Sequence, residues 1–428
     1  MIMRKLVDRG IDWVGVVPEN WHFKKGKYLF QQRSERGNTI ELQLLSPTQK
    51  YGCIPQSLYE ELTGANAVKL NEKTDLNLLK TIHRGDFCIS LRSFQGGFEY
   101  SDYEGVVSPA YQVFYPTRND VYRGYYKYMF KDGAFIDKMN SFTLSLRDGK
   151  NIAFADFGNT LLPLPSVEEQ RAIAHYLDKK TSEIDAAIKE AQELIENYKA
   201  YKQSIITEAV TKGLNPNVAM KDSGVEWIGE IPEHWGSHPV YVYFDERKNL
   251  NYRMQEQNLL SLSYGKIIRK DINTNGGLLP VSFTTYNIVE DGDIIIRPTD
   301  LQNDKKSLRT GLVKERGIIT SAYIALKPKF PQSSRYYHYM LHTADVCKVF
   351  YNMGNGVRQG LNYSEFSKLM MISPSVSEQE AIADYLDNKC AQIDSVISDK
   401  ENLISKLQEY KKSIIFEYVT GKKEVPNG

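Results

Sequence analysis

The sequence has few cysteines and no long apolar run. Four cysteines are scattered over 428 residues, and no Cys-x-x-Cys pair occurs. Zinc sites and disulfide frameworks need clustered cysteines, so we expect neither, and a reducing cytoplasm is the expected compartment. No run approaches the ~18 apolar residues of a membrane-spanning helix, and residues 1–10 lack the apolar core of a secretory signal. The net charge of +1 excludes a uniformly basic surface, although local basic patches remain compatible with it.

The common catalytic motifs are also missing from the sequence. It contains no GxxxxGK[ST], GxSxG or HExxH motif, and no Pro-Pro of the kind that amino-methyltransferases of DNA use. Asp86 and Asp293 follow glycines, but the further carboxylates and lysine of a metal nuclease do not follow them, which favours turn-forming aspartates. We therefore expect a chain that catalyses nothing. The alternatives are a stand-alone DNA-acting enzyme, such as a nuclease or fused methyltransferase, and a structural coiled-coil protein without a nucleic-acid role.

The chain repeats itself in order. SVEEQRAIAHYLDKKTSEIDAAI (166–188) matches SVSEQEAIADYLDNKCAQIDSVI (375–397) without a gap, and residues 198–211 match residues 407–420. Shorter matches precede both segments at a spacing near 210 residues, including DWVGVVPENW (12–21) with EWIGEIPEHW (226–235) and GDFCIS (85–90) with GDIIIR (292–297). The chain therefore consists of two copies of one unit, each with a short opener, a mixed domain and a long segment.

The two long segments are predicted to be helices. Each begins after Pro-Ser, and Glu169 or Glu378 follows the serine three residues later, which is a capping-box pattern. No glycine or proline interrupts residues 167–212 or 376–420. At 1.5 Å per residue, about 43 residues form a rod of roughly 65 Å.

Apolar residues recur every seven positions along both helices. The a positions are Leu177, Ile184, Ala191, Tyr198 and Ile205, and Leu386, Ile393, Leu407 and Ile414. The predicted d positions are Ala187, Leu194 and Tyr201, and Val396, Leu403 and Tyr410. Such a seam favours one intramolecular helix pair. The alternative is two helices that pack separately on their own domains.

The segments before the helices predict an α+β fold. GDIIIRP and GDFCISLR are short β-type runs after Gly-Asp turns, and AYQVFYP and AYIALKP are further strand candidates. The sequence segments that match between the two copies form this framework, while the loops between them differ. A retained framework with divergent loops indicates two binding domains of one kind with different targets.

The chain resembles a specificity (S) subunit of a type I restriction-modification system. The residues that carry this resemblance are DSGVEWIGEIPEHW (222–235), PLPSVEEQRAIAHYLD (163–178), SVSEQEAIADYLD (375–387) and EAVTKGL (208–214). The resemblance implies two similar α/β target-recognition domains separated by two long antiparallel coiled-coil helices with an internal pseudo-two-fold repeat. The expected domains are residues 1–164 and 222–373, and the helical spacers are residues 165–221 and 374–428. It also implies a circular arrangement, in which the N-terminal opener lies near the end of the second helix.

The resemblance further implies the partners. The chain is expected to bind double-stranded DNA with a bipartite target and to dock two DNA methyltransferase (M) subunits, with restriction (R) subunits in the complete enzyme. No cofactor is expected in this chain, because S-adenosylmethionine, ATP and Mg belong to the partner subunits.

DNA contacts are expected on polar loops that follow shared strands, because reading bases requires exposed donors and acceptors. The candidates in the first copy are Arg33, Arg36, Ser46, Thr48, Gln49, Lys50, Lys69, Arg92, Ser93 and Gln95. Those in the second copy are Arg247, Lys248, Ser261, Ser263, Tyr264, Lys266, Arg269, Arg297, Thr299 and Asn303. Tyr111 and Tyr323, at matched places on strands, favour core packing over base contact.

Partner contacts are expected where both helices carry the same residue outside the heptad seam. Two copies of an outward-facing surface would give two equivalent docking sites. The candidates are Gln170, Ile173, Tyr176 and Asp178, and Gln379, Ile382, Tyr385 and Asp387. The alternative is that these residues cap or brace the chain's own fold.

Overall fold

The computed structural model describes residues 4–37, 42–65, 76–90, 97–142, 152–272, 280, 282–299, 301, 308–353 and 360–426. The chain divides into two compact units, Met1–Ala191 with Asn402–Gly428, and Gln192–Glu401. Each unit contains the larger part of one long helix and the smaller part of the other. The domain boundaries expected above follow the helix ends and stay a prediction.

The first unit contains twelve strands among its described residues, and most of one long helix. The strands are β1 (Leu6–Asp8), β2 (Val16–Pro18), β3 (His22–Lys25), β4 (Phe30–Gln32), β5 (Leu45–Thr48), β6 (Gly52–Pro55), β7 (Lys80–Ile82), β8 (Phe87–Ser90), β9 (Phe98–Tyr100), β10 (Gly105–Val107), β11 (Tyr111–Pro116) and β12 (Leu161–Leu164). The helices are α1 (Gln56–Thr63), α2 (Arg123–Met129), α3 (Gly133–Ser141), α4 (Phe154–Asn159) and the start of α5 (Val167–Lys212).

The second unit follows the same order. Its strands are β13 (Met220–Asp222), β14 (Glu230–Pro232), β15 (Gly236–Pro239), β16 (Phe244–Glu246), β17 (Leu259–Ser263), β18 (Lys266–Lys270), β19 (Asn287–Val289), β20 (Ile294–Ile296), β21 (Thr310–Leu312), β22 (Gly317–Ile319), β23 (Ile324–Pro328) and β24 (Met370–Ser373). Its helices are α6 (Val240–Tyr243), α7 (Ser334–Val346), α8 (Tyr363–Phe366) and the start of α9 (Val376–Val419).

The sheet topology repeats between the units. A four-stranded antiparallel sheet runs β4-β11-β8-β9 in the first unit and β16-β23-β20-β21 in the second. The pairs β1-β2 and β3-β12 recur as β13-β14 and β15-β24. The hairpin β5-β6 corresponds to β17-β18, which in the second unit joins β22 and β19 in one sheet. The predicted α+β class and internal repeat are therefore confirmed.

The two cores use different side chains on this shared framework. In the first unit the Phe30 ring lies edge-on to Phe87 and Phe114, with centroids 6.0 Å and 5.6 Å away. In the second unit aliphatic residues such as Ile294 and Leu326 take the equivalent central positions. Tyr111 and Tyr323 pack against small clusters under the sheets, as expected from the sequence.

The long helices pair within each unit. Lys202 of α5 contacts Asp394 of α9 at 2.6 Å in the second unit, and Asp185 of α5 contacts Lys411 of α9 at 2.7 Å in the first. The two contacts are equivalent in the repeat, because Lys411 lies 209 residues after Lys202 and Asp394 lies 209 residues after Asp185. The two helices only exchange which one supplies the lysine. The intramolecular, antiparallel helix pair is thus confirmed, and separate packing is wrong.

The heptad prediction was largely correct for one row and only partly correct for the other. Most a positions are buried, as Leu177 and Leu386 show, while Tyr198 and Leu407 are half-buried. The predicted d residues Tyr201, Leu403 and Tyr410 are 57%, 42% and 52% exposed. The second buried row instead follows the first by four residues, and its members include Thr181, Ile195, Ala209, Cys390 and Tyr418. The sequence misled because tyrosine and leucine at d suited a seam equally well.

Over the described ranges, every helix is too short or too polar to cross a membrane.

Candidate nucleic-acid interface and helix ends

Each opener holds the start of one long helix. The Trp21 indole Nε1 donates to Glu169 Oε2 at 3.0 Å, and the Trp235 indole Nε1 donates to Glu378 Oε1 at 3.1 Å. Both tryptophans are almost fully buried. Partial burial opposes ionisation of Glu378, but hydrogen bonds from His234, Ser375 and Trp235 lower the pKa of its carboxyl to about 2. The repeated opener therefore supplies a hydrogen-bond donor to the glutamate in the first turn of each helix.

The capping box forms fully in only one copy. Ser375 N donates to Glu378 Oε2 at 3.1 Å while Glu378 N donates to Ser375 Oγ at 3.4 Å. In the first copy Glu169 N donates to Ser166 Oγ at 3.2 Å, but the Glu169 carboxylate is held by Arg4 at 2.5 Å. An extra cation from the N-terminal segment has replaced the reciprocal bond.

The same tryptophans contact the end of the other long helix. A Cβ added at Gly213 would lie 3.1 Å from the Trp235 ring, and one at Gly421 would lie 2.7 Å from Trp21. Both glycines have positive φ, 77° and 70°, so they end their helices in the left-handed region. Lys422 Nζ also donates to Val14 O at 2.7 Å. The circular arrangement, with the N-terminal opener at the end of the second helix, is thus confirmed within the first unit.

Sequence reasoning missed two tyrosines that complete these corners. The Tyr125 hydroxyl donates to Val419 O at 2.6 Å, and the Tyr336 hydroxyl donates to Val210 O at 3.0 Å. Both are fully buried, and burial raises their pKa well above the usual value. The matched pairs YYKY (125–128) and YYHY (336–339) were the available signal.

The two Gly-Asp turns bind arginines that were predicted to contact DNA. Arg33 Nε donates to Asp86 Oδ2 at 2.7 Å, and Arg247 Nη2 donates to Asp293 Oδ1 at 2.9 Å. Each aspartate also accepts a backbone N–H of its own turn, from His83 at 3.0 Å and from Glu290 at 2.9 Å. The predicted turn role of both aspartates is confirmed. Arg33 and Arg247 are half-buried and hold the framework.

The first hairpin presents only part of its predicted set to solvent. Gln49 and Lys50 are exposed at the tip between β5 and β6, where Lys50 lies over the Tyr51 ring. Thr48 Oγ1 closes the turn by donating to Gly52 O at 3.2 Å. Ser46 is fully buried and donates to Gln56 Oε1 at 2.9 Å, so the expectation of an exposed Ser46 is wrong.

A buried ion pair lies beneath this hairpin. Lys131 Nζ binds Glu99 Oε2 at 2.6 Å and reaches Gln49 O at 3.5 Å. Glu99 is 2% exposed, and its Oε1 has no hydrogen-bond partner in the described part of the chain. Burial raises the pKa of Glu99 to about 7, although Lys131 opposes this shift.

The second hairpin projects further into solvent. Tyr264 at its tip is 85% exposed, with φ of 46°, and Gly265 follows with φ of 77°. Lys266 is exposed, and Ser261 and Ser263 are half-buried along β17. Two successive residues of positive φ form the turn that matches the strand twist of a two-residue hairpin.

The remaining candidates differ in placement. Arg36, Lys248, Arg269 and Thr299 are exposed, and Arg297 is half-buried directly after β20. Lys248 pairs with Glu246 at 2.9 Å, and Arg269 pairs with Glu315 in a bidentate contact. Five candidates lie outside the described residues: Lys69, Arg92, Ser93, Gln95 and Asn303. The structure does not test which of the candidates contact DNA.

Half of the predicted docking residues face inward. Ile173 and Ile382 belong to the two cores. Gln170 and Gln379 are buried, and their side chains donate to Pro165 O at 2.9 Å and Pro374 O at 3.0 Å. The expectation that these four face outward is wrong, because matched residues at a helix start also brace the fold.

The other docking candidates lie at the surface, and the two copies differ. Asp178 accepts a hydrogen bond from the Tyr128 hydroxyl at 2.6 Å. Asp387 accepts from the Tyr339 hydroxyl at 2.8 Å and also binds Arg335, which contacts Glu380 and Asp384 as well. Gly124 stands at the position of Arg335 in the first copy. Both aspartates therefore have a cation within the chain, Arg335 at 2.8 Å from Asp387 and Lys127 at 3.7 Å from Asp178, and the contact of Asp178 is the longer one.

Comparisons with known proteins agree on one family. Residues 18–197 match the family described as "Type I restriction modification DNA specificity domain". The putative type I restriction enzyme MjaX specificity subunit of Methanocaldococcus jannaschii is 25% identical over 270 residues, which are 61% of this chain and 59% of that protein. The MjaVIII specificity subunit of the same organism is 25% identical over 67% of this chain and 68% of its own length. The EcoBI specificity subunit of Escherichia coli is 21% identical over 66% of this chain and 62% of its own length.

Solved structures extend the similarity in fold to nearly the whole chain. A structure described as "Structural basis underlying complex assembly and conformational transition of the type I R-M system" superposes with a TM-score of 0.69 at 14% identity, covering 95% of this chain and 99% of that one. The HsdS subunit from Thermoanaerobacter tengcongensis superposes with a TM-score of 0.52 at 14% identity, covering 95% and 98%. The chain is thus similar in sequence to type I restriction enzyme specificity subunits over about two thirds of its length, and similar in fold to solved structures over nearly all of it.

Proposed function

We propose that this chain is the sequence-specific DNA-recognition and scaffold subunit of a type I restriction-modification complex. The observation that carries the proposal is the repetition of one framework with two different exposed hairpins. The first tip presents Gln49 and Lys50, and the second presents Tyr264 and Lys266. Two readers of one kind with different tips fit a bipartite target, in which two short specific parts flank an unspecified gap.

The chemistry of the tips suits a DNA groove. Amide and hydroxyl groups can pair with base edges, whereas lysines contact phosphates without sequence preference. Tyr264 is almost fully solvated on a rigid two-residue turn, so it can enter a groove without disturbing the core. We assign base reading to the tips and backbone positioning to exposed cations such as Arg36.

The surface of the long helices supports a scaffold role. The exposed row with Tyr201, Leu403 and Tyr410 is apolar, although it lies between charged neighbours. An apolar stripe along a helix is a typical docking surface for another helix. We infer that two methyltransferase subunits dock here and near Asp178 and Asp387, and that restriction subunits join the complete enzyme. S-adenosylmethionine, ATP and Mg are then needed on the partners, in the cytoplasm, while this chain catalyses nothing.

Methylation mapping tests the reading role. The chain is co-expressed with its methyltransferase subunit, and modified positions are read across the genome. We expect one bipartite motif. Replacing both Tyr264 and Lys266 by alanine should relax or abolish one half of the motif, whereas alanine at the exposed Lys221 and Glu233 should leave the motif unchanged. A continuous motif, or an intact motif in the hairpin variant, would contradict the proposal.

A separate measurement distinguishes the proposed recognition subunit from an enzyme that acts alone. If this chain were a fused methyltransferase, the isolated protein would bind S-adenosylmethionine and methylate DNA. We expect neither, by calorimetric titration and by a methyl-transfer assay with the purified chain. Metal-dependent cleavage of plasmid DNA by the isolated chain would favour the nuclease instead.

A further inference from the structure

The second unit contains an open groove beside the C-terminal end of α5. Its volume is about 690 Å³. The apolar part of its lining comes from Ile205, Ala209, Leu214, Pro216, Met220 and Tyr385. Leu214, Met220 and Tyr385 are 45%, 36% and 36% exposed, so three large apolar side chains meet solvent in one place. Clustered exposed apolar residues of this kind usually mark a binding surface.

One difference between the two copies lies directly in this groove. In the first unit Tyr176 of α5 lies against Tyr418 of α9, with ring centroids 4.5 Å apart. A shift of 209 residues converts this pair into Tyr385 and Ala209. Alanine cannot supply the second ring, and among the described residues no aromatic ring stacks on Tyr385. The tyrosine is retained while its stacking partner is missing.

The first unit closes the equivalent place with its own chain. Tyr418 is only 5% exposed. Lys422 then crosses the adjacent opener, where its Nζ donates to Val14 O at 2.7 Å and to Val16 O at 3.1 Å. The internal copy therefore shows what fits on this tyrosine, namely an aromatic ring, with Lys422 four residues further along the same segment.

The rim of the open groove carries more negative than positive side chains. Glu208 and Glu230 line it, together with the single cation Lys212. Two carboxylates against one ammonium favour a basic group on the incoming segment. An occupant like that of the first unit, a ring with a lysine or arginine within a few residues, meets this requirement.

We propose that the groove receives an aromatic side chain, flanked by a basic residue, from a methyltransferase subunit. This inference rests on the proposed docking function and gives it a specific contact. The ring stacks on Tyr385 as Tyr418 stacks on Tyr176. The two docking sites on the chain are then chemically different, because the first is closed by this chain itself and the second is completed by its partner.

Filling the groove tests the proposal directly. Ala209→Tyr reproduces the first unit, so the new ring should stack on Tyr385 and exclude the partner. We expect the affinity of one methyltransferase subunit to fall about tenfold or more, since aromatic stacking and burial of the ring are both lost. Native mass spectrometry and titration of the co-expressed complex measure this, and the other subunit should stay bound.

Two further variants control for folding and position. Ala200→Tyr adds the same ring to an exposed site on α5 away from the groove and should leave both affinities unchanged. Tyr385→Ala removes the ring on which the partner's aromatic side chain would stack, so it should lower the affinity of the same methyltransferase subunit. This variant tests the proposal even if Ala209→Tyr fails to fold. Thermal melting of the free chain should show that Ala209→Tyr is at least as stable as the parent.

The outcomes separate the groove from the wider function. If Ala209→Tyr and Tyr385→Ala both bind two subunits with parental affinity, the groove proposal is overturned while scaffold function stands. If the parent chain binds no methyltransferase subunit, the proposed function itself fails. Loss of a dimer of this chain, with partner binding unchanged, would identify a second copy as the occupant and would also overturn the inference.

Discussion

At the residue scale, the best defined features are the two tryptophans that join a helix start to a helix end. Trp235 donates to Glu378 and packs on Gly213, and Trp21 does the same with Glu169 and Gly421. A hydrogen bond to a charged group contributes about 1.5–3 kcal/mol when buried. Each tryptophan adds the contact area of a large aromatic ring. These residues therefore determine how firmly each corner is held.

Replacing Trp235 by phenylalanine should destabilise the second unit. The variant loses the bond to Glu378 and part of the packing on Gly213, which we expect to lower the free energy of unfolding by about 2–3 kcal/mol. Trp227→Phe is the matched control, because the indole nitrogen of Trp227 has no hydrogen-bond partner among the described residues. Urea denaturation measures both, and an equal loss in the two variants would show that the bond to Glu378 contributes nothing.

Glu99 should make the first unit less stable as the pH rises. Its carboxyl keeps its proton up to a pKa of about 7 when folded, against an ordinary value of 4.5. The unfolded chain therefore releases this proton at a lower pH than the folded chain. The free energy of unfolding falls by up to about 3 kcal/mol between pH 4.5 and 7. Glu99→Gln should remove this dependence. The free energy of unfolding, measured at pH 5 and pH 7, checks this. An equal change between the two pH values in parent and variant would contradict the raised pKa of Glu99.

At the scale of elements, the long helices combine two tasks. One face of each helix is buried by the row that begins at Leu177 or Leu386 and by the row four residues later. Part of the row three residues later is left to solvent, with Tyr201 and Tyr410 at matched positions. A helix pair that uses only part of its apolar surface internally retains a surface for a partner.

Lengthening both helices should change the spacing of the DNA target. Seven residues inserted after Ala191 and after Glu401, where the compact units divide, preserve the heptad and add about 10 Å. At about 3.4 Å per base pair, the unspecified gap should grow by about three pairs, while both half-sites stay the same. Methylation mapping reads the gap. Inserting four residues in each helix is the control, since it breaks the register and should abolish binding.

At the scale of the whole molecule, the two copies divide the work. Both retain the sheet β4-β11-β8-β9 or β16-β23-β20-β21, and both bind an arginine at the Gly-Asp turn. They differ in hairpins, in core composition and in the groove next to Tyr385. Under the proposed function, duplication followed by loop divergence gives two specificities on one framework.

Exchange of one recognition domain should change one half of the target. When residues 222–373 are replaced by the corresponding domain of another specificity subunit, we expect a new sequence in one half of the motif and an unchanged first half. The reason is that the hairpin of the first unit and its supporting pair Glu99–Lys131 lie wholly outside the exchanged segment. Mapping of the methylated motif checks this, and a change in both halves would show that the readers are not independent.

Sequence alone determined the repeat, the fold class and the two helices of this protein. These depend on local patterns, namely residue order, periodicity and turn residues such as the Gly-Asp pairs, which act over a few neighbouring positions. The candidate site was predicted only as a set of polar loops after shared strands, and that Gln49, Lys50 and Tyr264 lie at hairpin tips came from the structure.

Only the tertiary structure decided which matched residues face inward. Ser46 and Gln170 are polar and repeated, yet both are buried: Ser46 donates to Gln56 next to its hairpin, and Gln170 accepts from Tyr122 N, which lies 48 residues away in the sequence. The choice of Tyr418 over Tyr410 for the helix seam likewise depends on the rotation of one helix against the other. Periodicity permits either choice, because rows three and four residues from Leu386 lie on nearly the same helix face, and only packing against the partner helix selects between them.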